Sequence, residues 1–93
     1  MEKKKTVVRV AGKDYTLASI DPPEHVQRVG VYVDRKIQEI ETASRLPSNM
    51  VAVLAALNIA DELLKITDEN TRLRRELLMA RQAQKESRKR SGT

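Results

Sequence analysis

The sequence predicts an α+β chain: a small head of β-hairpin plus helix, followed by a long carboxy-terminal helix that forms a coiled coil. Three observations carry this reading. Residues 6–18 alternate in side-chain character around a glycine turn, and residues 22–43 repeat apolar side chains at three- and four-residue spacing. The third is Val51 to Leu63, VAVLAALNIADEL, which is too apolar for a solvent-exposed helix and runs without a break into heptads. The expected organisation is a head over 1–47 and a long helix over 48–87. The first half of that helix packs on the head and its second half is coiled coil, and 88–93 form a basic tail without fixed structure.

Thr6 to Val10 places Val8 and Val10 on one side and Val7 and Arg9 on the other, and Tyr15 and Leu17 share one side of the next strand. Ala11, Gly12, Lys13 and Asp14 form the turn, with Gly12 free to take a positive φ. A lone hairpin is marginal in water, so this one must pack on a helix or pair with more strands. Asp21, Pro22, Pro23 and Glu24 make a helix start, with Asp21 as cap, Pro22 at the first helical position and Glu24 completing a capping box. That helix runs to near Ala43, and Val26, Val29, Val33, Ile37 and Ile40 define its buried face. Gly30 beside that face either permits a close helix approach or is simply tolerated.

Leu46 and Pro47 end the first helix and Ser48 caps the second. Nothing stops a helix from there to about Glu86, a length of roughly 60 Å, so its distal half is expected to project away from the head. In the heptad register Leu63, Asn70 and Leu77 take position a and Ile59, Ile66 and Leu73 position d, and the seam continues back to Ala56 and Ala52. Val53, Leu57, Ala60 and Leu64 form a second apolar face, expected to meet the rest of the chain. The seam implies an oligomer of long helices. Asn70 at a faces its own twin in a parallel pair, where it specifies register or is merely wetted. Glu69 precedes Arg74, and Glu76 precedes Arg81, at the g-to-e offset of parallel helices. Exposed pairs of this kind contribute only ~0.2–1 kcal/mol each, so they bias orientation more than they hold an assembly together.

Composition narrows the function. The 93 residues contain no Cys, one His (His25), no Phe and no Trp, which excludes thiolate or histidine-cluster metal sites and thiol catalysis. Glu24 is explained by capping and His25 by a surface position. No phosphate loop, nucleophile elbow or zinc helix motif is present, so a non-enzymatic protein without cofactors is expected. No signal segment or membrane-length apolar run occurs, and a cytoplasmic protein is expected. The net charge of +5 divides as +2 over Met1–Pro47, zero over Ser48–Gln84 and +3 over Lys85–Thr93. Arg88, Lys89 and Arg90 follow the heptads, whereas a basic zipper places its basic helix before them. Nucleic-acid association through the basic ends is therefore the second reading, distinguished by steep salt dependence.

Three segments carry a family resemblance: Val8 to Leu17 with V-x-V-x-G-x-x-Y-x-L, Asp21 to Ile37 with DPPEHVQRVGVYVDRKI, and Val51 to Leu63 with AALNIADEL. In these the chain resembles the ZapA family, small bacterial cell-division proteins that associate with the tubulin-like GTPase FtsZ. The resemblance implies head-to-head dimers through parallel helices, two dimers joined tail-to-tail into an antiparallel tetramer, and a scaffold that cross-links and stabilises FtsZ filaments at mid-cell. The heptad register places the oligomer interface at Ala56, Ile59, Leu63, Ile66, Asn70, Leu73 and Leu77. The resemblance also implies FtsZ contacts at charged residues of the head, including Lys13 just after the hairpin glycine. Thr16 stands where some relatives carry a second basic residue; Arg9 on the outward hairpin face takes its place, and Arg28 and Arg35 of the first helix are the further candidates.

Overall fold

The alternation near the amino terminus becomes a two-stranded antiparallel sheet, β1 (Lys4–Val10) and β2 (Lys13–Ser19), followed by helices α1 (Pro23–Ala43) and α2 (Ser48–Ser91). The computed structural model describes residues 2–91. Two units are distinguished, one up to Ile59 and one from Ala60 onward. Everything from the hairpin to the first three turns of α2 belongs to the former.

The hairpin turn is tighter than the alternation suggests. Val10 pairs with Lys13 and Arg9 with Asp14, so only Ala11 and Gly12 lie between the strands. Both have positive φ, 53° and 76°, which matches the right-handed twist of a two-residue hairpin. Ala11 lacks the freedom of glycine there. Its amide donates to Asp34 Oδ1 at 2.8 Å, and Gln38 Nε2 donates to Asp34 Oδ2 at 2.8 Å, so α1 holds the turn in place.

Directly paired residues share a face, so Thr6, Val8, Val10, Lys13, Tyr15 and Leu17 line one side of the sheet. Thr6 and Val8 are buried there beneath α1. Gly30 makes this approach possible: a Cβ at that position would sit 2.8 Å from Val8 Cβ. The close approach permitted by Gly30 is thus to a strand rather than to a helix. Gln27 Nε2 adds a 2.7 Å bond to the Val7 carbonyl. The helix lies over β1, and Tyr15 and Leu17 of β2 remain exposed.

The start of α1 falls one residue later than the capping pattern indicates. Pro22 occupies the N-cap with φ −58° and ψ 146°, and no side chain caps the helix. A residue before proline is driven to extended ψ, so Pro23 forbids Pro22 from being helical. Asp21 instead engages Ser19, whose Oγ donates to Asp21 Oδ2 at 3.2 Å and accepts from the Asp21 amide at 3.0 Å. Glu24 still lies in the first turn, where the helix dipole favours an acid. Ser44 closes α1, its amide and hydroxyl both donating to the Ile40 carbonyl at 2.9 and 2.8 Å. Ser48 is the first residue of α2 and does not cap it: the Pro47 carbonyl accepts from the Met50 and Val51 amides at 3.0 Å.

The core is small. Ile37, Val51 and Ala55 form its buried centre, with Val10, Val33 and Ile40 packed against them. Of the expected α1 face, Val26 and Ile37 are buried, Val33 and Ile40 half-buried, and Val29 exposed. The largest correction concerns α2. Val51 and Ala55, each 1% exposed, are the residues that close the head, while Val53, Leu57, Ala60 and Leu64 remain exposed. Positions four apart stack on one face of a helix, and this small pair lets α2 approach Ile37 closely, so the second apolar face is not used by the chain itself.

The helix is unbroken over 44 residues and ends at Ser91, past the expected 87. Residues 88–91 are therefore helical rather than a tail without fixed structure, and positions 92–93 of that expected tail lie outside the described residues. Straight-chain helix formers crowd this stretch, and cations at a helix C-terminus favour the dipole.

Candidate functional site

Along the second unit the heptad positions are bare. Leu63 is 61% and Ile66 64% exposed, and Asn70, Leu73 and Leu77 are exposed as well. In the head-side turns of α2, Ala56 is exposed and Ile59 half-buried. Apolar residues repeating every 3.5 positions with nothing of their own chain upon them leave a seam for another helix. The second face, Val53, Leu57, Ala60 and Leu64, lies a quarter turn or more further round α2 and is equally bare. The first turns of α2 thus offer apolar surface on two faces beyond the one consumed by the head.

The acids flanking the seam are already engaged. Arg72 Nη1 donates to Glu76 Oε1 at 2.8 Å, and Arg72 Nε donates to Glu69 Oε2 at 3.2 Å, with Nη2 also meeting Glu69. Hydrogen bonding and charge from Glu69, then charge from Glu76, raise the Arg72 guanidinium above its ordinary value. Arg74 and Arg81, expected as partners of Glu69 and Glu76 across the seam, therefore compete with Arg72 for them. One turn earlier Lys65 bonds Asp61 at 2.9 Å, which raises the Lys65 ammonium through that hydrogen bond and then through charge.

The four basic candidates of the head fall at three places. Arg9 lies on the outer face of the sheet and pairs with Asp14 at 3.4 Å. Lys13 lies on the opposite, inner face with Val10 and Tyr15, beside the apolar groove lined by Leu17, Val29, Val33 and Ala52. Arg9 and Lys13, both exposed, therefore stand on opposite faces of the sheet rather than side by side, because the turn contains two residues rather than four. Arg28 and Arg35 are brought together. They line a second groove on α1 with Tyr32 between them, and the Arg35 guanidinium stands 5.2 Å from the Tyr32 ring centre. Lys36 Nζ lies 5.5 Å from the same ring.

Two residues were missed by sequence reasoning. Asp34 secures the hairpin turn, and Tyr32 organises the cations of α1. The i, i+3 and i+4 spacings of Tyr32 from Arg35 and Arg28 were the available signal for the latter. Among the described residues no group of three acidic or histidine side chains could hold a metal ion, and no helix is long and apolar enough to cross a membrane.

A hairpin and helix head whose last core residues begin a long heptad helix invites comparison with known proteins. The family model "Cell division protein ZapA" matches residues 6–90. The chain belongs to the ZapA family of cell-division proteins. It is 41% identical over 76 residues to the cell division protein ZapA of Geobacillus kaustophilus, covering 81% of this chain and 84% of that one. It is 43% identical over 65 residues to the ZapA of Shouchella clausii, covering 69% and 83%. Among solved structures a ZapA mutant dimer from Geobacillus stearothermophilus superposes with a TM-score of 0.69 at 38% identity, covering 83% of this chain and 91% of that one. The hairpin, the two helices and the heptads are thus those of ZapA proteins, and the match extends past the head into the distal heptads.

Proposed function

We propose that this chain is a non-enzymatic oligomeric scaffold that binds, cross-links and stabilises FtsZ filaments at the division ring, in the cytoplasm at mid-cell. The observation that carries it is the double demand of α2: an a/d seam from Ala56 to Leu77, exposed apart from the half-buried Ile59, and a separate exposed face at Val53, Leu57, Ala60 and Leu64. A parallel dimer closes the first face only. The second supports the joining of two dimers, antiparallel, so that heads are presented at both ends of one assembly. The dimer state of the ZapA mutant from Geobacillus stearothermophilus supports the pairing of two chains.

Such an arrangement suits a cross-linker. Each head needs only a weak grip on a filament, because linked heads bind the second site at a raised effective concentration. Basic side chains of the head, Arg9, Lys13, Arg28 and Arg35, supply the attraction to an acidic filament surface, a contribution that weakens with salt. Co-sedimentation with FtsZ polymerised in GTP tests the reading. The full chain should pellet with filaments, and a chain that stays in the supernatant at every concentration would remove it.

A further inference from the structure

The outward face of α1 carries a feature that self-assembly does not call for. Arg28, Tyr32 and Arg35 stand four and three residues apart, which aligns them along one stripe of the helix. The Tyr32 ring is half-buried and Arg35 stacks over it, so ring and guanidinium hold one another in place. Neither guanidinium meets a carboxylate among the described residues. Of the acids one turn away, Glu39 pairs with Lys36 at 3.8 Å, and among the described residues Glu24 forms no ion pair with Arg28. Elsewhere on the chain Arg9, Lys65 and Arg72 all have acidic partners. Beside the two open cations the wall of the groove is apolar, with Val29, Val33 and Val31, the last 66% exposed; Ile59, which also lines it, is shared with the proposed seam.

We propose that this stripe is the docking site for an extended acidic peptide segment bearing apolar side chains between its carboxylates. Guanidinium groups bind carboxylates in a two-pronged geometry, and a desolvating valine wall strengthens each contact. Seven residues of helix separate the two arginines by about 10 Å along the axis. In a polyproline-type segment, carboxylates three residues apart lie on one side and about 9 Å from each other, which matches that separation. The groove of about 580 Å³ holds several side chains but not a folded domain. Two cations give little counterion release, so a nucleic acid is poorly served by the same face. The inference rests on the filament-binding reading, with the segment belonging to the acidic filament partner.

Fluorescence anisotropy with the full chain tests it, using a labelled peptide of four Glu-Leu-Pro repeats and a Gln-Leu-Pro peptide as control. Wild type should prefer the acidic peptide by at least tenfold at low salt. Arg28→Gln with Arg35→Gln should remove that preference, Tyr32→Leu should weaken it, and Arg45→Gln, at an exposed cation outside the stripe, should leave it unchanged. Absence of preference in wild type overturns the proposal, as does equal loss in Arg45→Gln, which would mean diffuse charge attraction. A change in oligomer size of the Arg28→Gln, Arg35→Gln variant on sedimentation also overturns it, since a second copy would then cover the face. FtsZ co-sedimentation of the same proteins separates the two readings. A wild type that pellets with FtsZ while ignoring the peptide loses only this docking site, whereas one that binds the peptide but never pellets with FtsZ loses the filament reading.

Discussion

Gly30 and Asp34 show how single side chains of α1 fix the head. At Gly30 a methyl group would meet Val8 Cβ at 2.8 Å, in a contact with no flexible atom to give way. Overpacking of this sort costs ~1–3 kcal/mol, against a gain in helix propensity of ~1 kcal/mol. Gly30→Ala should therefore lower the melting temperature, and Val8→Gly, which removes the clashing Cβ, should cost less in the Gly30→Ala background than in wild type, a coupling that a double-mutant cycle reads directly. Melting of Gly30→Ala at or above the wild-type temperature would show that helix and strand separate freely. One turn further along the same helix, Asp34→Ala should cost about 1 kcal/mol in thermal melts, the size of an exposed charge-assisted bond. Its loss should also speed hydrogen exchange at the Ala11 amide, which Asp34 accepts in a turn where Ala11 sits at φ 53°. The pattern of Thr6 to Val10 made the buried strand face legible, but neither role was: both depend on which helical turn meets which strand residue, information that periodicity does not contain.

At the scale of elements, the long helix was the most legible feature and its division of labour the least. Heptads from Ala56 to Leu77 announce a seam by spacing alone, and the structure leaves those positions uncovered except the half-buried Ile59. Which other face meets the head was misjudged, because Val51 and Ala55 are less conspicuous than Val53, Leu57 and Leu64 yet sit at the turn where α2 passes Ile37. The hairpin shows a similar limit. Ala11 in a positive-φ position shortens the turn by two residues, and that shift carries Lys13 to the face opposite Arg9. Basic residues that look like one patch in sequence are therefore three separate surfaces. Within the proposed seam Asn70 would take an a position, where a polar residue trades stability for register. Replacement by Leu should raise the melting temperature and broaden the range of oligomers seen on sedimentation, while a lower melting temperature would mean that Asn70 makes a bond the assembly requires.

For the molecule as a whole, a chain of the ZapA family with few core residues and a long exposed seam reaches adequate burial only in company. The head closes on Ile37, Val51 and Ala55, a modest core for a small domain, and most of the large apolar side chains of α2 remain uncovered by it. The proposed assembly through α2 and the proposed contact through the head are thereby separable by mutation. Leu63→Glu with Ile66→Asp buries unpaired carboxylates in the seam at a cost of several kcal/mol per site, enough to dissociate the oligomer while leaving the head residues untouched. Low-speed pelleting of GTP-polymerised FtsZ with this variant, beside wild type at equal head concentration, tests the central claim most directly. Wild type should bring bundled filaments down, and the dissociated variant should leave them unbundled in the supernatant. Bundling by the dissociated variant at the wild-type level would contradict a scaffold that works by holding two heads apart on joined helices.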